Sequence, residues 1–410
     1  MKHLFFLLSL LLVINLYSHG SASSINSNNE YTNKIIFPDI EDGVTVISDL
    51  HTHSVFSDGH VWPNIRVEEA LRNGLDLIAI TEHLEYQPHI DDIPHPDRNK
   101  SFYEAKNAAK NKEIIVINGS EITREFPPGH INAIFINDAN KLLNIDYGRL
   151  DEANKYIETL PEDIKETYAK QPWFTQAVLA NLWSPVEALK IAKTQGAFTF
   201  WNHPAWSEES RNSLNDLTEM HREMIDSNLL DGIEVVNGNH YSEEAFKVAL
   251  VNNLTLIGTS DVHDLIDWDY PSIENKHRPV TLIFAKNKTK DSIKEALLND
   301  KTAIWWKNTL LAKPKNMQSL LKVSIIVDKV KHLVDQAVTE VTLVNRSDVG
   351  FNLQNIDSQT FDNAENIIHL PPHGKIKLGI NDYDDEKGFY LKFKVLNALT
   401  APRINPVISL

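Results

Sequence analysis

The sequence predicts an α/β barrel followed by a small antiparallel β domain, and two patterns support this prediction. Short runs rich in Val, Ile and Leu alternate with helical patterns from residue 44 to about residue 317, which is typical of parallel strands buried on both faces. From about residue 318 to residue 410, apolar and polar residues alternate between turn signals, which indicates antiparallel strands. The number of repeated βα units favours a barrel over an open sheet.

Each predicted strand of the barrel is a short, nearly continuous apolar stretch. In chain order they are Thr45–His53, Leu75–His83, Glu113–Ile122, Gly129–Ile136, Ala197–Pro204, Gly232–Asn237, Leu254–His263 and Thr281–Ala285. Helical patterns lie between several of them. One ends at Gly74, where glycine suits a helix C-terminus, and another begins with Ser184 as N-cap and Pro185 in the first turn.

Residues 138–183 depart from this strand and helix rhythm. The segment is polar, has a helical pattern, and carries an aromatic patch at Trp173, Phe174 and Trp183. We interpret it as an insertion over one end of the barrel that could serve as a lid. The barrel itself is predicted over residues 44–317 and the C-terminal β domain over residues 318–410.

The first 22 residues are typical of a secretory signal peptide. A basic start precedes the apolar run Leu4–Tyr17, and small residues follow it. The run is shorter than the roughly 20 residues of a membrane span, so we expect cleavage within Gly20–Ser24 and export to the periplasm or out of the cell; an uncleaved anchor is the alternative. Residues 23–43 are predicted to form a flexible leader.

The overall composition excludes several classes of protein. Lys and Arg total 40 against 56 Asp and Glu, giving a net charge of −16, so we expect neither DNA nor RNA as a partner. A small anionic substrate is still compatible with this charge, because a local metal site can reverse the field in one pocket. Cysteine is absent, which excludes disulfides, thiolate ligands and a cysteine nucleophile. After cleavage of the signal peptide we expect no membrane partner, and the sequence leaves the oligomeric state open.

Acidic and imidazole side chains recur at the ends of the predicted strands. His51 and His53 lie two residues apart, so on a strand both face the same side. The C-terminal ends of barrel strands face one mouth, and buried imidazole or carboxylate groups need a partner or a metal, so we expect these residues to converge in one cleft. The nine candidate metal ligands are His51, His53, Asp58, His83, Glu121, His130, His203, Asp261 and His263.

The order of these motifs resembles that of the PHP family, named after polymerase and histidinol phosphatase. The motifs are HTHSVFSDG, ITEH, GSEIT, GH, NHP and SDVH, and the resemblance covers roughly residues 44–310. It implies a distorted (β/α)7 barrel with metal-dependent phosphoesterase activity. The segments FWNHPAW and GTSDVHDLIDWDY are similar to an exported phosphodiesterase branch that carries a C-terminal β domain. Some family members use a cysteine ligand, and its lack here favours a site made only of nitrogen and oxygen ligands.

The resemblance implies three divalent cations, and imidazole with carboxylate suits zinc, manganese or iron rather than calcium. The first ion would be held by His51, His53, Glu121 and Asp261, the second by Glu121 with His130 and His203, and the third by Asp58, His83 and His263. Three ions bring about +6, and three carboxylates with one bridging hydroxide return about −4, so a residual charge of about +2 attracts a phosphate ester. That hydroxide would attack phosphorus in line, and we also count Asp261 and His263 as candidate catalytic residues.

Residues near the ligands are candidates for binding the ester and for moving protons. Arg124 and Arg278 could bind non-bridging phosphate oxygens, or they could be arginines with no such role. Trp201 could form a wall of the leaving-group pocket, or pack in the core. His240 could protonate the leaving group, or lie in a loop without a role.

The function predicted from these residues is metal-dependent hydrolysis of small phosphate esters, with phosphodiesters favoured. A phosphomonoesterase of the histidinol-phosphatase type is an alternative, although its biosynthetic substrate is cytoplasmic and fits export poorly. A metal hydrolase of the amidohydrolase type is another, although it usually needs a carboxylated lysine where Glu121 stands here. The non-enzyme alternative is an exported binding protein whose barrel keeps metals only for stability.

Overall fold

A computed structural model of the chain describes residues 34–271, 277–333, 338–381 and 390–410. The predicted signal peptide and residues 23–33 of the predicted leader lie outside the described residues. The remainder of the leader packs against the barrel: Ile35 is buried, and its backbone N–H donates to the carbonyl of Asn73 at 2.8 Å. No helix within the described ranges is long and apolar enough to cross a membrane.

Within the described residues, twelve strands form one curled sheet. They are β1 Val44–Asp49, β2 Leu77–Ile80, β3 Ile115–Ile122, β4 Ile131–Ile134, β5 Phe198–Trp201, β6 Gly232–Asn237, β7 His240–Tyr241, β8 Thr255–Thr259, β9 Val280–Ala285, β10 Thr302–Trp306, β11 Thr309–Leu311 and β18 Ala398–Leu399. Strands β1 to β6 and β8 make a ring, which closes where Thr52, beyond β1, bridges Val262, beyond β8. This ring confirms the predicted distorted seven-strand barrel.

The strands of the ring do not all run in one direction, which corrects the expectation of parallel strands. Parallel pairs join β1 to β2, β2 to β3, β5 to β6 and β6 to β8, whereas β4 is antiparallel to both β3 and β5. The connection of residues 123–130 is too short for a parallel crossover, which needs about a dozen residues or more. Strand β4 therefore begins at the end of the ring where its parallel neighbours finish.

Helices cover the outer surface and the mouth of the ring. They are α1 Pro63–Arg72, α2 Lys100–Ala108, α3 Leu150–Thr159, α4 Glu162–Tyr168, α5 Pro172–Asn181, α6 Pro185–Thr194, α7 Glu208–Ser213, α8 Glu219–Asp226, α9 Glu243–Val251, α10 Ile266–Asp269, α11 Lys290–Leu298 and α12 Pro314–Ser324. Helix α1 ends before Gly74, whose φ of 72° suits glycine. Ser184 precedes α6 as predicted, but its side chain makes no capping hydrogen bond.

The predicted insertion contains α3, α4 and α5, of which α3 and α5 pack around a small apolar cluster of their own. Trp173 of α5 meets Tyr86 edge-on with ring centroids 4.8 Å apart, and Tyr86 meets the predicted ligand His83 in the same way at 5.6 Å. The insertion therefore lies beside the predicted metal ligands.

The C-terminal region is a sandwich of two antiparallel sheets, which confirms the predicted small β domain. One sheet has β12 Ile325–Leu333, β13 Val338–Asn345 and β16 Lys375–Asn381, and the other has β14 Phe351–Asn355, β15 Ile367–Leu370, β17 Lys392–Val395 and β19 Val407–Ser409. Residues 318–324, predicted to open this domain, belong to α12 instead. Strand β18 of this region pairs in parallel with β11, so it extends the barrel sheet.

Candidate metal centre

The predicted ligands lie together at the mouth because of where each stands relative to its strand. His51 follows β1, His83 follows β2 and His203 follows β5, so the common strand direction brings them to the same end. His130 precedes β4, and it reaches that end because β4 runs in the opposite direction. Asp261 follows β8 with a φ of 52°, a left-handed conformation that is uncommon for a residue other than glycine and is often found at functional sites.

Three groups of ligand atoms meet within 4.8 Å of one another. The groups are His53, Asp58, His83 and His263; His51, His53 and Asp261; and His83, Glu121 and His130. His203 joins them through its Nε2, which lies 3.3 Å from Glu121 Oε1. Glu121 lies centrally, with His51 Nε2 and His53 Nε2 each 3.5 Å from one of its oxygens. All nine predicted ligands are therefore brought together, but the groups overlap the three implied sets without reproducing them: His53 joins Asp58, His83 and His263, and His83 takes the place of His203 beside Glu121 and His130.

The polar atoms at the centre of these groups are arranged for cations rather than for one another. Glu121 Oε2 and Asp261 Oδ1 are buried and make no well-formed hydrogen bond; their polar neighbours are histidine nitrogens, with His83 Nδ1 2.7 Å from Glu121 Oε2 and His53 Nε2 3.1 Å from Asp261 Oδ1. His51 Nε2 and His53 Nε2 lie 3.0 Å apart, close enough to face a shared neighbour. A divalent cation would satisfy these atoms, and the mixed nitrogen and oxygen donors fit zinc, manganese or iron.

Burial and charge act in opposite directions on the central acids. Burial alone would raise the pKa of Glu121, but His83, His130 and His51 hold that pKa well below its usual range. Burial opposes ionisation of Asp261 in the same way, and His51 and His53 outweigh it, so the pKa of Asp261 is also lowered. Burial and the neighbouring His263 lower the pKa of His53 to about 3. The carboxylates are thus held ionised and His53 neutral, as metal ligation requires. Burial would lower the pKa of His51 and His83, but the neighbouring acids raise both pKa values well above the usual one, so these two imidazoles would have to release a proton when a cation binds.

Glu234, in the middle of β6, orients two of the ligand segments, and the sequence analysis did not single it out. Its Oε1 lies 2.8 Å from His51 Nδ1 and accepts from the Thr259 hydroxyl at 2.6 Å. Its Oε2 accepts from the backbone N–H of His203 at 2.6 Å. A carboxylate at Nδ1 fixes the imidazole with its Nε2 towards the centre. The signal in the sequence was a lone acid within the apolar strand GIEVVN.

Two further polar side chains hold the centre in place. The buried Glu82 accepts from the hydroxyls of Ser54 and Ser57, and the Ser57 oxygen lies 3.3 Å from His53 Nδ1. Asn202 donates to Glu121 Oε1 at 2.7 Å. Both are adjacent in sequence to a predicted ligand, which is the signal that could have identified them.

Arg66 of α1 connects the two strand ends that close the ring. Its guanidinium is buried and donates to the backbone carbonyls of His53 at 2.7 Å, His263 at 2.7 Å, Asp264 at 2.6 Å and Val262 at 3.2 Å. Arg66 therefore sets the distance between the ligand segments after β1 and after β8. It was missed because a charged residue on an amphipathic helix is usually exposed to solvent.

A cleft of about 950 Å³ opens above the metal ligands. Arg124, Trp201 and His240 all line it, but Trp201 is only 1% exposed and stacks on His221 with ring centroids 3.9 Å apart, so it packs in the core as well. Arg124 is 5% exposed and pairs through Nη1 with Glu85, while its Nε and Nη2 have no hydrogen-bond partner. His240 is exposed at the start of β7.

Arg278 is not brought to this cleft, which corrects its predicted role in substrate binding. It is 2% exposed, and its Nη1 lies 3.1 Å from Asp49 Oδ2 at the end of β1. Asp49 in turn accepts from the hydroxyl of Ser260 at 2.5 Å and from its backbone N–H at 3.1 Å. Arg278 thus neutralises the buried carboxylate that joins β1 to the segment after β8.

The ring of strands, the cleft at its mouth and the clustered histidine and carboxylate ligand atoms together define a metallohydrolase-type centre on a distorted α/β barrel. A family model described as the PHP domain matches residues 49–224, and one described as an Ig-like domain matches residues 325–410. A solved two-domain protein from Bacteroides vulgatus ATCC 8482, described as containing a predicted PHP-like metal-dependent phosphoesterase, is 33% identical. The match covers 92% of this chain and 98% of that chain, with a TM-score of 0.76. The chain belongs to the PHP family.

Other similarities are more distant. An amidohydrolase from Chromobacterium violaceum, solved with bound sulfate and no metal, is 20% identical with a TM-score of 0.36, over 53% of this chain and 87% of that chain. No curated protein matches the sequence.

Proposed function

We propose that this protein hydrolyses phosphate esters, with phosphodiesters as the preferred class, at a centre that holds up to three divalent cations. The observation that carries the proposal is the convergence of nine histidine and acidic side chains, eight of them in three groups of possible ligand atoms and His203 beside Glu121, with two buried carboxylate oxygens that make no hydrogen bond. The bound cations would supply positive charge for phosphate oxygens and would lower the pKa of water in the cleft. Membership of the PHP family supports the same chemistry.

The side chains around the cleft have separate tasks in this proposal. Arg124 lines the cleft, and its Nε and Nη2, which are buried without hydrogen-bond partners, would bind a non-bridging phosphate oxygen. His240, also in the cleft wall, would deliver a proton to the leaving oxygen. Trp206 is 77% exposed and meets the ring of His203 edge-on, so it would cover one esterified group at the entrance.

The shape and charge of the cleft support a diester over a monoester. Its wall reaches Ala177 of the insertion on one side and Ser207 after β5 on another, which leaves room for two esterified groups. Glu125 and Glu209 also line it, and they would repel the second negative charge of a monoester more than the single charge of a diester.

The proposal is tested by loading the purified protein with Mn²⁺ or Zn²⁺ and measuring turnover of bis(p-nitrophenyl) phosphate and p-nitrophenyl phosphate. We expect faster turnover of the diester, and a loss of at least about 100-fold in Asp261→Asn. Asp264→Asn is the matched control, because Asp264 lies three residues away and its carboxylate contacts only His60 among the described residues. A fully metal-loaded protein that hydrolyses neither ester would refute the proposal, whereas a preference for the monoester would make it a phosphomonoesterase.

A further inference from the structure

A second cavity, which we call the side pocket, adjoins the catalytic cleft beneath the insertion. It has a volume of about 390 Å³, within the range of about 300–1,000 Å³ that is usual for small-ligand sites. The cleft and the side pocket share part of their walls. The shared residues are Arg124, Glu125, Phe126, Ala177 and Asn181.

The side pocket is built mainly from apolar and aromatic side chains. Trp173 and Phe174 of α5 contribute an edge-to-face pair with ring centroids 5.7 Å apart. Leu160 and Ile164 line it from the segment around α4, and Met220 lines it from α8. Trp173 and Phe174 belong to the aromatic patch identified in the sequence, and Trp173 reaches the ligand His83 indirectly, through Tyr86.

The few polar groups of the side pocket lie along its border with the cleft. Arg124 faces both cavities with its Nε and Nη2 unpaired, and its charge is already balanced by the buried Glu85. Tyr156 of α3 donates to Glu125 and so connects the insertion to the loop after β3. Hydrogen-bond donors are therefore available at Arg124, where the two cavities meet. Beyond Arg124 and Glu125 no charged residue lines the side pocket within the described residues, so an anionic or strongly polar group there would lose its hydration without compensation.

We infer that the side pocket binds one of the two groups esterified to the phosphate, and that this group is apolar or aromatic. The inference rests on the proposed function, because the phosphate must lie at the metal centre for its substituent to reach the side pocket. Arg124 at the border would contact a phosphate oxygen, and the substituent would extend past Ala177 under the insertion. The insertion thus sets substrate specificity, while the nine ligands provide the chemistry.

The test compares two phosphonates that share the anionic head and cannot be hydrolysed at their C–P bond. Benzylphosphonate carries an aromatic ring and methylphosphonate does not, so the contribution of the metal centre to binding cancels between them. We expect metal-loaded wild-type protein to bind benzylphosphonate at least tenfold more tightly, as measured by isothermal titration calorimetry. Equal affinities would overturn the inference even if phosphodiester turnover is normal.

A pair of tryptophan variants on α5 separates the side pocket from the general properties of the insertion. Ala177→Trp places a large ring at the border of the two cavities, and should reduce the difference between the phosphonates to less than about threefold. Gln176→Trp adds the same ring to the same helix at a residue that lines neither cavity, and should keep the full difference. Loss of the difference in both variants, or in neither, would contradict the assignment.

The two hypotheses fail in different ways. If neither phosphonate binds and no ester is hydrolysed by the metal-loaded protein, the proposed function is wrong. If both phosphonates bind with the same affinity and bis(p-nitrophenyl) phosphate is hydrolysed, the proposed function stands and the side pocket has no part in specificity. The wild-type comparison does not depend on the folding of any variant.

Discussion

Replacing Arg66 with alanine should destabilise the protein strongly, because this buried side chain forms an ion pair with Glu69 and donates hydrogen bonds to four backbone carbonyls. Its Nη1 lies 2.8 Å from Glu69 Oε2, and neither side chain is more than 5% exposed. Removing one partner of a buried ion pair costs about 3–5 kcal/mol, since the other charge is left without compensation. The carbonyl of His53 would also lose its Arg66 donor, at about 1–3 kcal/mol for an unsatisfied buried group. Allowing for water entering the vacated space, we expect the free energy of unfolding to fall by about 4 kcal/mol.

The same helix offers a control in Arg72, whose Nη2 lies 2.9 Å from Asp267 Oδ1 with both side chains 47% exposed. Arg72→Ala should cost less than about 1 kcal/mol, because exposed ion pairs are well solvated and screened. Urea unfolding followed by circular dichroism, with both variants free of metal, measures the two values. Similar losses in the two variants would refute the argument that buried bonds to the ligand segments make Arg66 important.

Metal binding provides a second readout of the Arg66 variant. Arg66 donates to the carbonyls of His53 and His263, which lie on either side of the closure between β1 and β8. Without it, the ligand segments should hold the cations less well, so calorimetric titration should show weaker binding of Mn²⁺ than in Arg72→Ala. Unchanged metal affinity would restrict Arg66 to a role in stability alone.

Four further outcomes are expected. Glu234→Gln should weaken metal affinity by about 10–100-fold in calorimetric titration, because the carboxylate that orients the His51 imidazole through Nδ1 is replaced by a neutral amide; unchanged affinity would contradict this role. Burial lowers the pKa of His221 from 6.5 to about 4, so the stability that this neutral imidazole contributes is complete above pH 6.5 and is lost as the pH falls towards 4. The shift amounts to about 3 kcal/mol, and urea unfolding of His221→Gln should show correspondingly less loss of stability between pH 7 and pH 4; equal losses would show that His221 is not responsible. Chelation should lower the midpoint of thermal unfolding, and restoring a metal at about 100 times its Kd should return about 2.7 kcal/mol; an unchanged midpoint would mean that no metal is bound. Protein exported by a secreting host should begin within Gly20–Ser24 by mass spectrometry, whereas an intact N-terminus would favour the uncleaved anchor.

Several of the ligands could be predicted from sequence because they are polar residues just beyond an apolar run. His51, His83 and Asp261 each follow a strand that contains Val, Ile or Leu, and the common direction of these strands brings them together. His130 precedes its strand, so the order of the motifs identified it and the position at a strand end did not. The expectation that all strands were parallel was wrong for β4, whose short connection to β3 leaves no room for a crossover, and for β9, which pairs antiparallel with β1.

The supporting residues were harder to predict because their roles depend on contacts between distant segments. Glu234 is separated from His51 by 183 positions, and Arg66 from His263 by 197. Arg278 illustrates the opposite error. An arginine before a strand was a reasonable candidate for phosphate binding, but it forms a buried ion pair with Asp49, 229 positions away. A single sequence shows which residues are chemically able to act, and only the fold shows which partner each of them has.

The C-terminal β domain is joined to the barrel by more than a linker. Strand β18 pairs with β11, and the backbone N–H of Leu310 donates to the carbonyl of Asn397 at 3.1 Å. Trp305 of β10, Met317 of α12 and Phe351 of β14 belong to one continuous buried cluster. Removing the domain would therefore expose apolar surface and leave the edge of β11 without its partner β18. Strand β11 pairs with β10, β10 pairs with β9, and β9 pairs with β1. Since His51 and His53 follow β1 directly, the domain supports the strand that carries the first two ligands of the metal centre.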